Sequence, residues 1–325
     1  MGKNKGGIPD AIKEIIDNLK EDDFDDDIEE ENKDIVSVIE PVLLYGAGVW
    51  GGALTVEQIN RLHTIQRVFL LKLLRPYRTT ATQALSVLSG IPPLHLKANY
   101  EYLKFQIWSC RSRGLAGTIE LNNLDHYLLL SDIPLDVRVL NLPERLDDNI
   151  FEVYTDESKI AGGVEFSVCI LNKENQQKTI CHKLEPNNTV FQAELSADWA
   201  IQNNTKINIF TDSKSSIDAL KSHRTKSNFI KSIKNKFRLA ETLVGLTWVK
   251  AHAGIPGNEL ADQFAELATT NGELMNLPLP YSYLKLQLKR LLLQSWNDCY
   301  TEYQSASVTR VRVYVPRVDE KNVNF

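Results

Sequence analysis

Four acidic residues stand in short motifs whose flanking residues point to chemistry. They are Asp156 in VYTDES (153–158), Glu194 in FQAEL (191–195), Asp212 in IFTDSKS (209–215) and Asp262 in WVKAHAGIPGNELAD (248–262). Taken singly, each has an ordinary explanation. Asp156 at the end of an apolar run suits a turn. Glu194, beside a helical stripe of Phe191, Leu195 and Trp199, suits solvent. Asp212 before a helix suits an N-cap, and Asp262 early in a helix suits the N-terminal dipole. Taken together, the four carboxylates have the makings of a metal-dependent nuclease site. Two carboxylates about 4 Å apart repel by about 4 kcal/mol at an effective dielectric of about 20, so a gathered set needs cations. All-oxygen ligation selects hard octahedral ions, which makes Mg²⁺ the expected metal, as two ions, with Mn²⁺ as a substitute. Two ions held by such carboxylates would supply activation of a water and stabilisation of the departing 3′ oxygen of a phosphodiester.

Together these motifs resemble ribonuclease H of the type 1 family, in particular the domains carried by insect non-LTR retrotransposon polyproteins, over residues 147–272. The resemblance implies an endonuclease that hydrolyses the RNA strand of RNA–DNA hybrids, with Asp156, Glu194, Asp212 and Asp262 as catalytic metal ligands. It implies that His252, in a loop with Gly254 and Gly257, assists proton transfer or product release and is not a ligand. No small-molecule cofactor is expected. Hybrid recognition needs groups that feel the 2′-hydroxyls of RNA and a basic surface for DNA. The candidates are Ser158, Asn188, Gln192, Ser213 and Lys214, all next to the acids in sequence, with Lys250 meeting phosphate. Lys231, Lys234, Lys236 and Arg238 in SNFIKSIKNKFRLAE read equally as a phosphate track and as a solvated basic face. Trp248 and Val249 read as core strand residues. One departure stands out: the family usually has Gly after the first aspartate, and here Glu157 brings bulk and charge beside the metals.

The elements that must position these residues follow from hydrophobic period and turn chemistry. Strands are expected at 150–156, 163–171 and 177–184, then a helix at 190–203, a strand at 206–211 and a helix at 214–222. A basic amphipathic helix at 227–242, a strand at 244–250 and a helix at 257–270 complete the series. Three strands followed by alternating helix and strand make an α/β fold: a ribonuclease H-like mixed five-stranded sheet flanked by helices.

An all-helical connector precedes it over 35–115. Ile59, Leu62, Ile65, Gln66, Phe69, Leu70 and Leu73 form one stripe of a helix limited by Pro76. A second helix runs through TATQALSVLSG to Gly90, and a third follows over 95–113. LLYGAGVWG (43–51) and YRTTATQALSVLSGIPPLHL (77–96) resemble the segment that joins reverse transcriptase to ribonuclease H in the same polyproteins. The polymerase's paired aspartates on a hairpin are absent; Asp25, Asp26 and Asp27 sit among further acids and read as a solvated run. The expectation is a C-terminal piece of such a polyprotein. Residues 116–146 read as a linker, and 273–325 as an amphipathic helix followed by a basic strand or tail.

The net charge of −5 is unevenly placed. Residues 1–34 hold 13 acidic and 5 basic residues, so −5 overall against −8 there leaves a mildly basic body at +3. That acidic stretch is expected to be disordered. The four cysteines show no zinc-ligand spacing and read as reduced thiols. No stretch nears the roughly 20 apolar residues of a membrane helix. With no secretory signal either, an intracellular place, nucleus or cytoplasm, without membrane contact is expected. Two rival readings remain. One is a nucleic-acid-binding or interaction module of the same fold with weakened catalysis. The other is a transposase- or integrase-like nuclease, disfavoured by the fourth acid and by WVKAHAG.

Overall fold

The computed structural model describes residues 38–112, 115, 123–158, 164–172, 175–184, 191–275 and 277–319. For residues 157, 158, 164, 184, 191–195, 269–271 and 273–275 the description is of the backbone alone. The acidic stretch 1–34 and Asn188 lie outside it. The chain divides into two compact units, one of Met1–Ile119 with Lys285–Phe325, the other Glu120–Leu284.

The helical unit holds α1 (Ala47–Trp50), α2 (Val56–Leu74), α3 (Thr82–Ser89) and α4 (Leu94–Trp108). Thr55 and Gln58 start α2 with a reciprocal capping box, and Arg75, at φ 47°, ends it one residue before Pro76. The expected stripe faces inward: Phe69 and Leu70 are buried with Leu85, Ile91 and Leu94, and Leu62, Ile65 and Leu73 pack around them. Gln66, buried among these apolar side chains, is satisfied by the Pro92 carbonyl at 2.8 Å and the Leu94 amide at 3.1 Å. Gly90, left-handed at φ 69°, closes α3 as expected.

The C-terminal residues complete this unit. A long helix runs over Tyr281–Glu302, and its Leu293, Trp296 and Tyr300 pack with Ala84, Val87, Val308 and Val318. The basic end expected as a strand or tail is instead a helix over Ala306–Tyr314. Its alternating valines suggested a strand. Ser305 caps the turn by accepting from the Val308 amide, and Val308 alone of the segment is fully buried, which a two-residue period does not allow.

The second unit is built on a mixed sheet of order β5-β4-β1-β2-β3-β6. Its strands are β1 (Phe151–Ser158), β2 (Val164–Asn172), β3 (Asn175–Leu184), β4 (Ile207–Thr211) and β5 (Val244–Trp248). A three-residue sixth strand, β6 (Glu273–Met275), lies parallel to β3 beyond the five expected. β1, β2 and β3 form the antiparallel meander, and β1, β4 and β5 run parallel. Helices α6 (Phe191–Asn203), α7 (Lys214–Lys221) and α8 (Asn228–Leu239) cover one face, where Val153, Phe166, Ile207, Ile209, Ala197, Leu220 and Phe237 share a core. Here α5 is the single turn Leu135–Arg138. Helix α9 (Pro256–Asn271) covers the other face, with Ala261 against Tyr154, Cys169 and Phe210.

Residues 123–146, read from sequence as a linker, lie within this unit. Leu124 bridges to Leu279, and the Leu146 amide and carbonyl both bond the Asn208 side chain. The buried Asp125 accepts from the Phe229 amide at 3.0 Å at the start of α8. No helix among the described residues is long and apolar enough to cross a membrane.

Candidate active site

Strand register brings two of the four acids together. In the parallel pair β1 and β4, Thr155 lies opposite Thr211, so the next residue on each strand is an aspartate, Asp156 and Asp212. Neighbouring strands lie about 4.8 Å apart, which makes these adjacent positions at one sheet end. Side chains alternate along a strand, so Asp156 shares the face of Tyr154, and Asp212 that of Phe210. This is the face covered by α9. Gly257 permits the close approach of that helix: a Cβ there would lie 2.3 Å from the Tyr154 ring.

Asp156 is 5% exposed, and its Oδ2 accepts from Asn258 Nδ2 at 3.3 Å. Asp212 is not the cap of α7; that position falls to Ser213, whose hydroxyl bonds Ser216 at 2.8 Å. The Asp212 backbone is braced instead. Its carbonyl accepts from the Lys214 amide at 2.9 Å and from the indole N–H of Trp248 at 2.9 Å. Trp248 is therefore no core residue: half exposed at the end of β5, it supports the chain beneath Asp212. The strand outruns its helical cover there, whereas Val244 and Leu246 on the same face stay buried.

Asp262 comes from the second turn of α9, and the turn before that helix delivers His252. His252 and Gly254 both adopt left-handed backbone, φ 50° and 74°. Such a pair reverses the chain sharply and leaves the imidazole exposed. His252 Nδ1 lies 3.9 Å from Asp262 Oδ2. Glu259, one turn before Asp262, completes a trio whose ligand atoms lie within 4.8 Å of one another. Its Oε1 accepts from the Gly254 amide at 3.2 Å, tying the loop to the helix.

The electrostatics fit a crowd of acids. Burial pushes the Asp212 carboxyl above its ordinary range, and the charge of Asp262 adds to this; its own backbone N–H and His252 pull the other way. Asp156, Asp212, Asp262 and His252 thus gather at one sheet end. Glu194 sits in the first turn of α6, its side chain outside the described residues, as are those of Ser158 and Gln192. Ser213, Lys214 and Lys250 follow β4 and β5 at this same end, with both lysines exposed.

Most of the basic helix does not form a track. Lys234 is buried on the carbonyls of Arg138 and Ser222, Lys236 pairs with Asp198 at 2.6 Å, and Arg238 pairs with Asp136. Two site residues escaped the sequence reading, Asn258 and Glu259. Glu259 was signalled by its spacing of three from Asp262, which puts both on one helix face. Asn258 carried no comparable sign, because its role depends on strand β1 lying beneath it.

Residues 148–270 match the family model described as RNase H. A 70-residue stretch, 21% of the chain, is 43% identical to the "Putative 115 kDa protein in type-1 retrotransposable element R1DM" of Drosophila melanogaster, and covers 7% of that protein's length. A foamy viral protease-reverse transcriptase, solved in complex with an RNA/DNA hybrid, is 15% identical, covering 40% of this chain and 23% of that one. The TM-score is 0.33.

Proposed function

We propose that this chain, whose residues 148–270 carry a ribonuclease H domain, is a divalent-metal-dependent endonuclease hydrolysing the RNA strand of RNA–DNA hybrids. We take it to be a fragment of a retrotransposon polyprotein. The observation that carries the reading is the parallel register of β1 and β4, which sets Asp156 and Asp212 at adjacent strand ends, with Asp262 close enough to Asp212 for their charges to interact.

The donor set fits a hard cation. Apart from its own backbone N–H, the half-buried Asp212 carboxylate meets no donor among the described residues, and His252 is the cationic partner available to Asp262, whose other neighbours, Glu259 and Asp212, are acids. The buried Asn258 Oδ1 beside Asp156 also lacks a partner among the described residues. Asp156, Asp212 and Asp262 would hold two Mg²⁺ ions or Mn²⁺ in their place, with Glu194 as fourth ligand. When bound, such a pair supplies activation of a water and neutralisation of charge at the departing oxygen.

The chain's own residues do the rest. Asn258 orients Asp156, and Trp248 steadies the backbone of Asp212. His252, exposed and close to Asp262, takes up and hands on a proton at an imidazole nitrogen. Glu259 holds the loop that carries it. Lys214 and Lys250 offer charge to phosphates, and Ser158, Asn188, Gln192 and Ser213 offer polar groups to the sugar edge. Readout of this kind follows shape and 2′-hydroxyls, so cleavage is independent of sequence.

A strand-labelled hybrid incubated with Mg²⁺ tests the reading. Cuts in the RNA strand that disappear in Asp156→Asn support it; no cut above that control favours a binding module. Cleavage or joining of duplex DNA without RNA favours a transposase-like nuclease.

A further inference from the structure

A second charged feature lies away from the acids. A half-open cleft beside α5 and the segment joining α7 to α8 is lined by Arg138, Ser222, His223, Thr225, Lys231 and Lys234. Its enclosed space is ≈ 10 Å³, room for about one water-sized group. No carboxylate lines it. The acids of the flanking segment are engaged elsewhere: Asp136 pairs with Arg238, and Asp132 accepts from Ser131.

Lys234 sets the chemistry of the cleft. It is 3% exposed, and its Nζ donates to the carbonyls of Arg138 at 2.9 Å and Ser222 at 2.6 Å. An ammonium has three donors, so one N–H remains, and no acid pairs with it among the described residues. A buried cation held by carbonyls alone is destabilising unless an anion joins it, and burial indeed lowers the Lys234 pKa. Arg138 gives its Nε to the Ile133 carbonyl at 2.9 Å and Nη2 to the Leu130 carbonyl. A guanidinium carries five N–H groups, so more remain. At the rim, the side chains of Lys231 and His223 have no partner among the described residues.

We propose that this cleft is an anion site for a phosphate group, one non-bridging oxygen entering the space above Lys234 while the remainder stays at the mouth between Lys231 and His223. Resting on the nuclease reading above, the phosphate is a backbone phosphodiester of the bound nucleic acid. The narrowness of the cleft favours this: it admits an oxygen and leaves the flanking sugars outside.

Two measurements on the full chain test it. In the first, inorganic phosphate is compared with chloride at equal ionic strength by thermal unfolding. A saturable rise in Tm is expected, lost in the double variant Lys231→Ala/His223→Ala, whose side chains lie at the rim and leave the buried Lys234 in place. In the second, hybrid binding is followed against salt with Asp156→Asn preventing cleavage. Adding the rim substitutions should lower the magnitude of the log–log salt slope by about one, as for one lost phosphate contact. A phosphate-induced rise with an unchanged slope overturns the nucleic-acid source and leaves free phosphate as ligand. Absence of both effects overturns the site. A phosphate-induced rise in a chain that binds no hybrid overturns the nuclease reading and supports the anion site.

Discussion

The two units handle buried titratable groups in opposite ways. In the helical unit, His63 and His95 face each other, Nε2 to Nδ1 at 3.0 Å with rings edge-on at 4.8 Å. Burial pushes His95 down to about 4, with His63 adding to the effect, and lowers His63 as well. The pair stays neutral and each ring satisfies the other. In the sheet unit, Asp212 and Asp262 repel across a half-buried site, offset by the Asp212 backbone N–H and an exposed imidazole. Polar groups that complete each other belong to the fold. Polar groups gathered without completing each other await a ligand, and their removal should harm function before stability.

The largest effect that tests this contrast is in the acids. Asp156→Asn or Asp212→Asn should lower hybrid cleavage by about 10³-fold or more, the several kcal/mol supplied through metal ligation. The Tm of Asp212→Asn measured without metal should not fall, and should rise as repulsion with Asp262 is relieved. A large loss of Tm would break the contrast. His252→Ala should reduce turnover by about 10²-fold, at the low end for a positioned acid–base group, with unchanged unfolding because the ring is exposed. Glu157→Gly should raise turnover by up to about tenfold, or 1.4 kcal/mol, measured as kcat on the same hybrid. An unchanged rate would mean that Glu157 points away from the substrate.

The smallest effect lies in the histidine pair. A buried imidazole near 4 and an unfolded one near 6.5 mean that the unfolded chain binds more protons between these values. Stability contributed by the neutral pair is therefore complete above about pH 6.5 and declines as pH falls toward 4. Denaturant titrations across this window should show the decline, and His95→Asn should flatten it by up to about one proton. Cleavage per folded molecule should stay unchanged.

Strand-end acids were legible because an apolar run followed by Asp recurs at 151–156 and 207–212, and parallel pairing turns that recurrence into proximity. The left-handed loop was legible in part, through Gly254; Gly257 belongs to α9, and nothing in the sequence marked His252 as left-handed. Trp248 was misread because propensity cannot tell where a strand outruns its cover. The helix at Ala306–Tyr314 was misread for a related reason: a capping serine and the burial of Val308 outweigh a β-branched run. Lys234 looked like its neighbours in a basic amphipathic helix. Only the fold around Arg138 and Ser222 separates it from them.

Thermal unfolding of the full chain with and without millimolar Mg²⁺ tests the central claim most directly, since it asks for a cation site independently of turnover. Binding to the folded state alone raises Tm by mass action. The expected result is a Mg²⁺-dependent rise in the native chain that is abolished in Asp212→Asn. An equal rise in both proteins, or none in either, would contradict the assignment of these carboxylates as a metal site.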